Sequence, residues 1–224
     1  CHSLGIQTEI KRLSKDTSTA ELQKAITDLN IDEAVDGILL QHPVPQQIDE
    51  TKCFNTISLE KDVDGVTTEG FGNMAMGLRA FGSCTPLGII RLLKYYKINI
   101  EGINALVIGR SQILGKPMAS MLLNENATVT IAHSKTKHLI ESLKTYDLVV
   151  VAVGVPKFIS ANDLKIGSVL IDAGYHPNEK CGDVDMTDVS NIVSAYTPVP
   201  GGVGPMTINT LMMNTIEAME KKYE

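Results

Sequence analysis

Ala105-Leu-Val-Ile-Gly-Arg-Ser-Gln-Ile-Leu-Gly-Lys-Pro-Met118 is the stretch of this chain that decides its fold. Its first part, Ala105 to Gly109, is apolar or small and predicts a buried strand that leads through a short turn into a helix, Lys116 to Asn124. The first N–H groups of a helix lack intrahelical partners, and the helix dipole favours negative charge there. A strand that enters a helix through glycine therefore predicts a site for the phosphates of a nucleotide.

The turn in this stretch departs from the usual dinucleotide motif, G-x-G-x-x-G. Gly109 fills the first glycine position, Ser111 the second and Leu114 the third, while Gly115 comes one residue late. The motif alone leaves two interpretations open. One is a nucleotide site, and the other is a strand–turn–helix whose glycines serve packing only.

Three further apolar segments predict strands of the same sheet: Thr128–Ala132, Leu148–Val153 and Val169–Asp172. Two helical segments, Pro117–Leu123 and Lys137–Lys144, separate the first of these strands. Strands that alternate with helices predict βαβ units and a parallel sheet buried on both faces. This part of the chain is therefore predicted to be a Rossmann-like domain.

The residues that follow the first two strands bear on which dinucleotide binds. An NAD site usually places Asp or Glu after the second strand, where the carboxylate binds the ribose 2′-hydroxyl. Here His133-Ser134 follows that strand, and Arg110 follows the first glycine. An arginine and a hydroxyl suit a 2′-phosphate, so the sequence favours NADP over NAD. The alternative for Arg110 is a solvated loop cation.

The first part of the chain predicts a second, smaller α/β unit. Residues 1–10 predict the end of a helix followed by a short strand. Thr17–Leu29 has one apolar face and predicts an amphipathic helix, with Ser18 or Thr19 as its N-cap. Val35–Gln41 predicts a strand that two prolines then end.

Four more segments complete the prediction. Lys61-Asp-Val-Asp-Gly65 predicts an exposed turn with a solvated lysine, and residues 66–83 predict a loop because they are rich in glycine and methionine. The segment Thr85–Tyr96 predicts a helix with its threonine as N-cap and Pro86 at the first helical position. Met206–Ala218 predicts a closing amphipathic helix.

Composition limits the classes of protein. A length of 224 residues suits one large or two modest domains, and a net charge of −6 argues against nucleic-acid binding through a broad basic surface. No apolar run approaches the roughly 20 residues that span a bilayer. The four cysteines are scattered without CxxC or Cys/His metal spacing, which predicts reduced thiols and no metal site. Because the chain begins with Cys1, we expect a fragment whose N-terminus is missing.

Several motifs recur along the chain in a fixed order: Asp36-Gly-Ile-Leu-Leu-Gln-His-Pro-Val-Pro45, Lys61-Asp-Val-Asp-Gly65, Cys84-Thr-Pro-Leu-Gly88, Gly109-Arg-Ser-Gln-Ile-Leu-Gly-Lys-Pro-Met118, Asn126-Ala-Thr-Val-Thr130 and Thr197-Pro-Val-Pro-Gly-Gly-Val-Gly-Pro-Met-Thr207. With these motifs at these separations, nearly the whole chain resembles the bifunctional methylenetetrahydrofolate dehydrogenase/methenyltetrahydrofolate cyclohydrolase family. The resemblance implies oxidation of 5,10-methylenetetrahydrofolate by NADP, then hydrolysis of the methenyl product to 10-formyltetrahydrofolate.

The resemblance also implies an architecture of two α/β lobes. Residues 1–83 would form the N-terminal folate and catalytic lobe, and residues 84–205 a Rossmann-like parallel-sheet NADP lobe. The C-terminal helix, within residues 206–224, would return to the first lobe. A homodimer in the cytoplasm is implied as well, or in the mitochondrial matrix if a transit peptide precedes the chain.

The resemblance assigns roles to nine residues of this sequence. In the folate cleft, Asp64 would accept hydrogen bonds from the pterin, Gln41 would orient the folate and the catalytic lysine, and a corner would be formed by Gly201 and Gly202. The cofactor would be held by Gly109, Arg110, Ser111, Ser134 and the backbone at Tyr175.

The chain departs from the family in three places. The general-base lysine of a Tyr-x-x-x-Lys helix would lie upstream of Cys1, outside this chain. Val66-Thr-Thr-Glu69 and Tyr175-His-Pro177 replace the family's usual residues on the cleft floor and beside the nicotinamide. Two alternatives therefore stay open: a monofunctional NAD-dependent methylenetetrahydrofolate dehydrogenase, and a binding-only fragment without turnover.

Overall fold

The computed structural model describes residues 4–222. Its strands are β1 (Asn104–Ile108), β2 (Thr128–Ala132), β3 (Leu148–Val151), β4 (Val169–Asp172) and β5 (Ala195–Tyr196). Its α-helices are α1 (Thr19–Ile31), α2 (Glu50–Phe54), α3 (Thr68–Ala75), α4 (Cys84–Tyr95), α5 (Gly115–Asn124), α6 (Leu139–Ser142), α7 (Val189–Ile192) and α8 (Val203–Lys222). Short 3-10 helices span Leu59–Lys61, Leu143–Thr145 and Ala161–Asp163.

The five strands form one parallel sheet in the order β2-β1-β3-β4-β5. Ile108 lies opposite Ala132 on one side and Val151 on the other, so β1 and β3 lie beside each other at the centre of the sheet. The predicted Rossmann-like parallel sheet is therefore confirmed. The strand order reverses between β1 and β3, and in such sheets ligands bind outside the carboxyl ends of the strands at this point.

Alternate residues of the central strands supply two apolar cores, one on each face of the sheet. Ala105 and Val107 of β1 pack with α4 and α5, whereas Leu106 and Ile108 pack with Leu143 and its neighbours on the other face. This is the two-residue period of a strand. Burial of each large aliphatic side chain is worth about 1.5–3 kcal/mol relative to exposure. These cores hold the carboxyl ends of β1 and β3 in place.

The N-terminal part is built on α1, as predicted. The Ser18 hydroxyl accepts a hydrogen bond from the Glu21 N–H at 3.3 Å, and the Ser18 N–H donates to the Glu21 carboxylate at 2.8 Å. This reciprocal capping box satisfies two donors at the start of the helix. Leu22 and Ile26 then pack into a small core with Cys53 and its neighbours.

The predicted strands of the N-terminal part are not formed. Among residues 4–222, every strand belongs to the five-stranded sheet, so the strands expected in residues 6–10 and Val35–Gln41 were wrong. A strand needs a neighbouring strand for its ladder of hydrogen bonds. Here the N–H of Ile38 donates instead to the carbonyl of Lys61 at 2.8 Å, within a loop. The helix end expected before Gly5 falls partly outside the described residues.

The region between the two lobes is more ordered than predicted. Residues 66–83 contain α3, where the Thr67 hydroxyl caps the helix by accepting from the Gly70 N–H at 2.9 Å. The N-cap of α4 is Ser83, so Pro86 occupies the third helical position rather than the first. The glycines concealed α3, and the Thr-Pro pair moved the predicted start of α4 by two residues.

Three other elements differ in length from the prediction. The segment Lys137–Lys144 forms only the single turn of α6 with a 3-10 turn after it, and β3 ends before Val153. The closing helix α8 is longer than predicted. It packs along α4 and also against the first lobe, where Ala218 contacts Phe81 and Val63. The domain limits of residues 1–83, 84–205 and 206–224 stay a prediction.

Two helical glycines make a matched pair for testing the strand–turn–helix packing. A Cβ on Gly115 would overlap with the backbone carbonyl of Gly109, whereas a Cβ on the exposed Gly72 in α3 meets nothing within 4 Å. We expect Gly115→Ala to destabilise the fold by about 1–3 kcal/mol through overpacking, and Gly72→Ala to stabilise it by up to about 1 kcal/mol. Urea unfolding followed by circular dichroism measures both. Equal stability of the two variants would contradict this packing argument.

Candidate functional site

The turn Lys61–Gly65 carries two aspartates with different surroundings. The Asp62 carboxylate is buried and accepts hydrogen bonds from the backbone N–H groups of Val66 and Thr67, each at 2.9 Å. Burial raises the pKa of Asp62, although these N–H donors act in the opposite direction. The Asp62 side chain is thus occupied in forming the turn.

Asp64 is the aspartate that faces open space. Its side chain is half-buried and lines a cavity, and burial raises its pKa, while the Cys84 thiol and the charge of His42 act to lower it. The backbone of this turn is held by residues of α4 and α8. The Cys84 N–H donates to the Asp64 carbonyl at 3.2 Å, and the buried Asn214 side chain donates to the Val63 carbonyl at 2.8 Å.

Lys61 is not the exposed turn lysine that the sequence predicted. Its ammonium group donates to the carbonyls of Leu29, Asn30 and Asp32, at 3.0, 2.8 and 2.7 Å. These are the carbonyls at the end of α1, where a positive charge is favourable. Lys61 therefore stabilises the C-terminus of α1.

The cavity beside Asp64 has a volume of about 290 Å³. It brings Asp64 and Gln41 together, as the resemblance implied, and it also includes two residues of the nucleotide turn. Its lining consists of Leu39, Gln41, His42, Asp64, Val66, Ser83, Thr85, Ile113, Leu114, Thr207, Ile208 and Leu211. Asp64 and Gln41 therefore share one cavity with Ile113 and Leu114 of the predicted cofactor turn.

Polar groups in this cavity come from three elements. The exposed Gln41 amide donates to the His42 carbonyl at 3.0 Å. The hydroxyls of Thr85 in α4 and Thr207 in α8, which also line the cavity, lie 3.0 Å apart. Apolar walls with a few convergent polar groups are typical of small-molecule sites.

The corner Gly201-Gly202 lies at the start of α8, and α8 contributes cavity residues further along. Gly201 has a left-handed φ of +103°, and a Cβ on Gly202 would overlap with the Pro198 carbonyl. The backbone path here therefore requires glycine. Of this part of the chain, only Thr207, Ile208 and Leu211 line the cavity. The role of the two glycines in substrate binding therefore stays a prediction.

The nucleotide turn begins with a close backbone approach between two strands. Gly109 has a φ of +132°, and a Cβ there would overlap with the carbonyl of Ala152 after β3. Gly154, further along the same loop, has open space where a Cβ would stand. The crevice between the ends of β1 and β3 is thus free of side chains at both positions, which fits a dinucleotide backbone.

Ser111 and Arg110 follow this approach. The Ser111 hydroxyl accepts from the Gly115 N–H at 3.2 Å, so it caps the first turn of α5, and Arg110 is exposed beside it. The Gly109 N–H donates to the Ala132 carbonyl at 2.9 Å, which places the end of β2 next to the turn. The exposed Ser134 lies in the tight turn directly after that end. An arginine and a hydroxyl thus stand at neighbouring strand ends.

Tyr175 lies in the loop after β4, the strand on the far side of β3 from β1. It follows β4 and is exposed, while the adjacent His176 contacts a buried carboxylate, Asp183. His176 was named only as part of the departure Tyr175-His-Pro177, and Asp183 was not predicted as a site residue. The acid lies between glycine and valine in a loop, and no short motif marked it.

Other lining residues were also missed by sequence reasoning. Thr85 was predicted to cap a helix, but as the second residue of α4 it turns toward the cavity. Ser83 connects the two halves of the site because its hydroxyl donates to the Ile113 carbonyl at 2.6 Å. Thr207 lies in the last motif that carries the family resemblance, but no role was predicted for it.

A second cavity, of about 550 Å³, lies between the end of α1, the turn at Lys61 and the end of α8, and none of the nine predicted site residues lines it. Within residues 4–222, no group of His, Cys, Asp and Glu is arranged to hold a metal ion. In the same range, no helix is both long and apolar enough to span a membrane.

Comparison with known proteins assigns these features to one family. The model of the tetrahydrofolate dehydrogenase/cyclohydrolase catalytic domain matches residues 1–64, and that of the NAD(P)-binding domain of the same enzymes matches residues 83–223. The bifunctional protein FolD of Alcanivorax borkumensis is 56% identical over 223 residues, which is 100% of this chain and 79% of that protein.

Solved structures agree. The bifunctional enzyme FolD of Campylobacter jejuni superimposes with a TM-score of 0.96 at 41% identity, covering 99% of this chain and 80% of that one. The Trypanosoma brucei FolD, solved with NADP and an inhibitor, gives 0.87 at 30% identity, covering 94% and 75%. The family models cover most of the chain, and these relatives are similar along nearly all of it. The chain belongs to the tetrahydrofolate dehydrogenase/cyclohydrolase family of bifunctional enzymes.

Proposed function

We propose that the cavity beside Asp64 is the folate site of an enzyme that oxidises 5,10-methylenetetrahydrofolate with NADP and hydrolyses the methenyl product to 10-formyltetrahydrofolate. The observation that carries this proposal is the shared cavity, where Asp64 and Gln41 of one half meet Ile113 and Leu114 of the nucleotide turn. Hydride transfer needs the two ligands side by side. A cavity lined by the folate residues and by the cofactor turn would hold the two ligands side by side.

Asp64 would hold the pterin. Its ionised carboxylate accepts from the amino and ring N–H groups, and the half-buried setting strengthens such bonds relative to water. Gln41 offers an amide whose oxygen and nitrogen can both bind folate polar groups. Apolar lining residues such as Leu39 and Leu211 exclude water from the remainder of the ring system.

NADP would lie at the carboxyl ends of β1, β2 and β3, where it supplies the hydride acceptor. The turn at Gly109 lets the pyrophosphate approach the backbone, and Ser111 lies at the first turn of α5. Arg110 and Ser134 would bind the 2′-phosphate, since both are exposed at adjoining strand ends. The backbone at Tyr175 would complete the site on the β4 side.

Rate and binding measurements distinguish this function from the two alternatives, a monofunctional NAD-dependent dehydrogenase and a binding-only protein. Methenyltetrahydrofolate formation and hydrolysis are followed separately with NADP and with NAD, for the 224-residue chain and for the product of the complete gene. We expect the complete product to catalyse both steps and to prefer NADP. Preference for NAD without hydrolysis would support a monofunctional dehydrogenase. Binding of both ligands without turnover by either form would support a binding-only protein.

Replacement of Arg110 tests the choice of cofactor. We expect Arg110→Ala to raise the Kd for NADP on the order of tenfold or more, because a charge-assisted bond to the 2′-phosphate is lost. The Kd for NAD should change little, since NAD lacks that phosphate. Calorimetric titration with both dinucleotides measures this. Equal losses for the two would show that Arg110 does not select NADP.

The two aspartates of one turn provide a matched test of the folate site. We expect Asp64→Asn to weaken folate binding on the order of tenfold or more while NADP affinity is unchanged. We expect Asp62→Asn to destabilise the fold by about 1–3 kcal/mol, because an amide has one acceptor oxygen for two buried N–H donors. Folate titrations and thermal unfolding distinguish the two results.

The raised pKa of Asp64 sets the sign of its effect on stability. A carboxyl whose pKa is higher in the folded state binds its proton more tightly there, so it favours folding at acidic pH and opposes it once ionised. At neutral pH the neutral Asp64→Asn variant should therefore unfold at the same temperature as the parent protein or higher. A lower unfolding temperature together with unaltered folate affinity would show that the turn is structural only.

We also propose a homodimer, the state implied by the family resemblance. The edge strand β2 supports it, because Thr128, Thr130 and Ile131 are exposed although strands of parallel sheets are usually buried on both faces. Light scattering should give twice the monomer mass, and Ile131→Lys should lower it. A monomeric parent protein would contradict the proposal. A cytoplasmic location stays a prediction, which cell fractionation can check.

A further inference from the structure

Two buried carboxylates, Asp172 and Asp183, lie at the carboxyl ends of β3 and β4 and have no predicted role so far. Asp172 is the last residue of β4, and Asp183 lies in the loop that follows. Each packs directly against a glycine: a Cβ on Gly182 would overlap with the Asp172 carboxylate, and one on Gly174 with the Asp183 carboxylate. The loop 173–182 is therefore shaped around these two side chains at its base.

Asp172 forms the base of the loop through backbone hydrogen bonds. Its oxygens accept from the N–H groups of Gly174, Asp183 and Val184, at 2.9, 3.1 and 2.9 Å. Burial raises its pKa, and the neighbouring Asp183 acts in the same direction. All of these partners lie in the loop or just after it, so Asp172 serves the loop itself.

Asp183 connects two different loops. Its Oδ2 atom accepts from the N–H groups of Val153 and Gly154 after β3, at 2.6 and 2.9 Å. Its Oδ1 atom lies 2.8 Å from the Nε2 atom of His176, which belongs to the loop after β4. The side chain of Asp183 is 0% exposed and that of His176 is 16% exposed.

A carboxylate without exposure to water needs a hydrogen-bond donor at each oxygen, since an unpartnered oxygen costs several kcal/mol. Backbone N–H groups provide the donors at Oδ2, and the imidazole N–H of His176 can provide the donor at Oδ1. His176 is itself fixed in the loop, because its backbone N–H donates to the Cys181 carbonyl at 2.8 Å. The three groups therefore form one continuous chain from the β4 loop to the β3 loop.

Both loops stand at the carboxyl ends of adjacent parallel strands, the edge of the sheet where a dinucleotide lies. Gly154 is open on its Cα, and Tyr175, next to His176, is exposed. We propose that His176 is a positioning residue: through Asp183 it sets the Val153–Gly154 backbone and the Tyr175 backbone at the distance that the nicotinamide half of NADP requires. This inference rests on the proposed function.

Two substitutions separate this role from general stability. His176→Phe keeps a ring but has no donor for Asp183, whereas His176→Gln keeps an N–H at about the reach of Nε2. We expect His176→Phe to raise the Kd for NADPH and the KM for NADP on the order of tenfold, because the carboxylate then turns from the β3 loop. His176→Gln should restore both values to within about threefold of the parent.

The readouts, all made on the product of the complete gene, are NADPH fluorescence titration, dehydrogenase kinetics, and cyclohydrolase rate on supplied methenyltetrahydrofolate. The cyclohydrolase step transfers no hydride, so it serves as an internal control and should stay unchanged in both variants. His138→Asn is the matched surface control, since that side chain is 82% exposed. It should leave every value unaltered.

Two results would overturn the inference. One is an unchanged Kd and KM in His176→Phe. The other is a parallel fall of cyclohydrolase rate, unfolding temperature and NADPH affinity in both variants, which would show a purely structural role. A parent protein that binds NADPH but lacks dehydrogenase activity would instead contradict the proposed function, and the titration would still test His176.

Discussion

The close contact between the Gly109 backbone and the carbonyl of Ala152 is the constraint on which this structure depends. It is possible only because the first residue after β1 has no side chain and a positive φ. The contact brings the ends of β1 and β3 together, and Gly115 then lets α5 lie directly over the turn. The close approach of β1 to β3 and the position of α5 over the turn both depend on these two glycines.

A second constraint connects the two halves of the chain. The turn that presents Asp64 is made from local residues, but its backbone is fixed from a distance, by Asn214 of α8 and by the N-terminus of α4. The two helices also pack against each other, and α4, together with Val203 at the start of α8, packs on the sheet. The carboxylate that would bind folate is therefore positioned by the same helices that cover the nucleotide-binding sheet. The catalytic neighbourhood depends on the packing of the complete chain.

The sequence predicted the central sheet well because its signals are local. Apolar strands such as Leu148–Val151 are buried on both faces, and their β-branched residues separate them clearly from the helices. The helix α3 was missed because its stability comes from Thr67 and from packing of Met74, neither visible in a glycine-rich segment. Val35–Gln41 carries a strand pattern, but no pattern within a segment reports whether a pairing partner is present.

The sequence predicted individual residues of the candidate site better than it predicted contacts between residues. Asp64 and Gln41 were named from motifs and do line one cavity, whereas Lys61, in the same motif, serves α1 instead. The His176–Asp183 contact was not predictable, since it joins two loops whose proximity depends on the strand order. Pairwise contacts between distant loops are a property of topology, and local propensity contains no information about them.

The hydrogen bond from Ser83 to the Ile113 carbonyl bears on how each of the two ligands affects the affinity for the other. Ser83 precedes α4 and borders the cavity beside Asp64, and Ile113 lies in the turn after Gly109, so this hydrogen bond joins two walls of the cavity directly. If binding of one ligand moves this contact, the affinity for the other ligand changes with it. Any factor by which the dinucleotide alters folate affinity must equal the factor by which folate alters dinucleotide affinity.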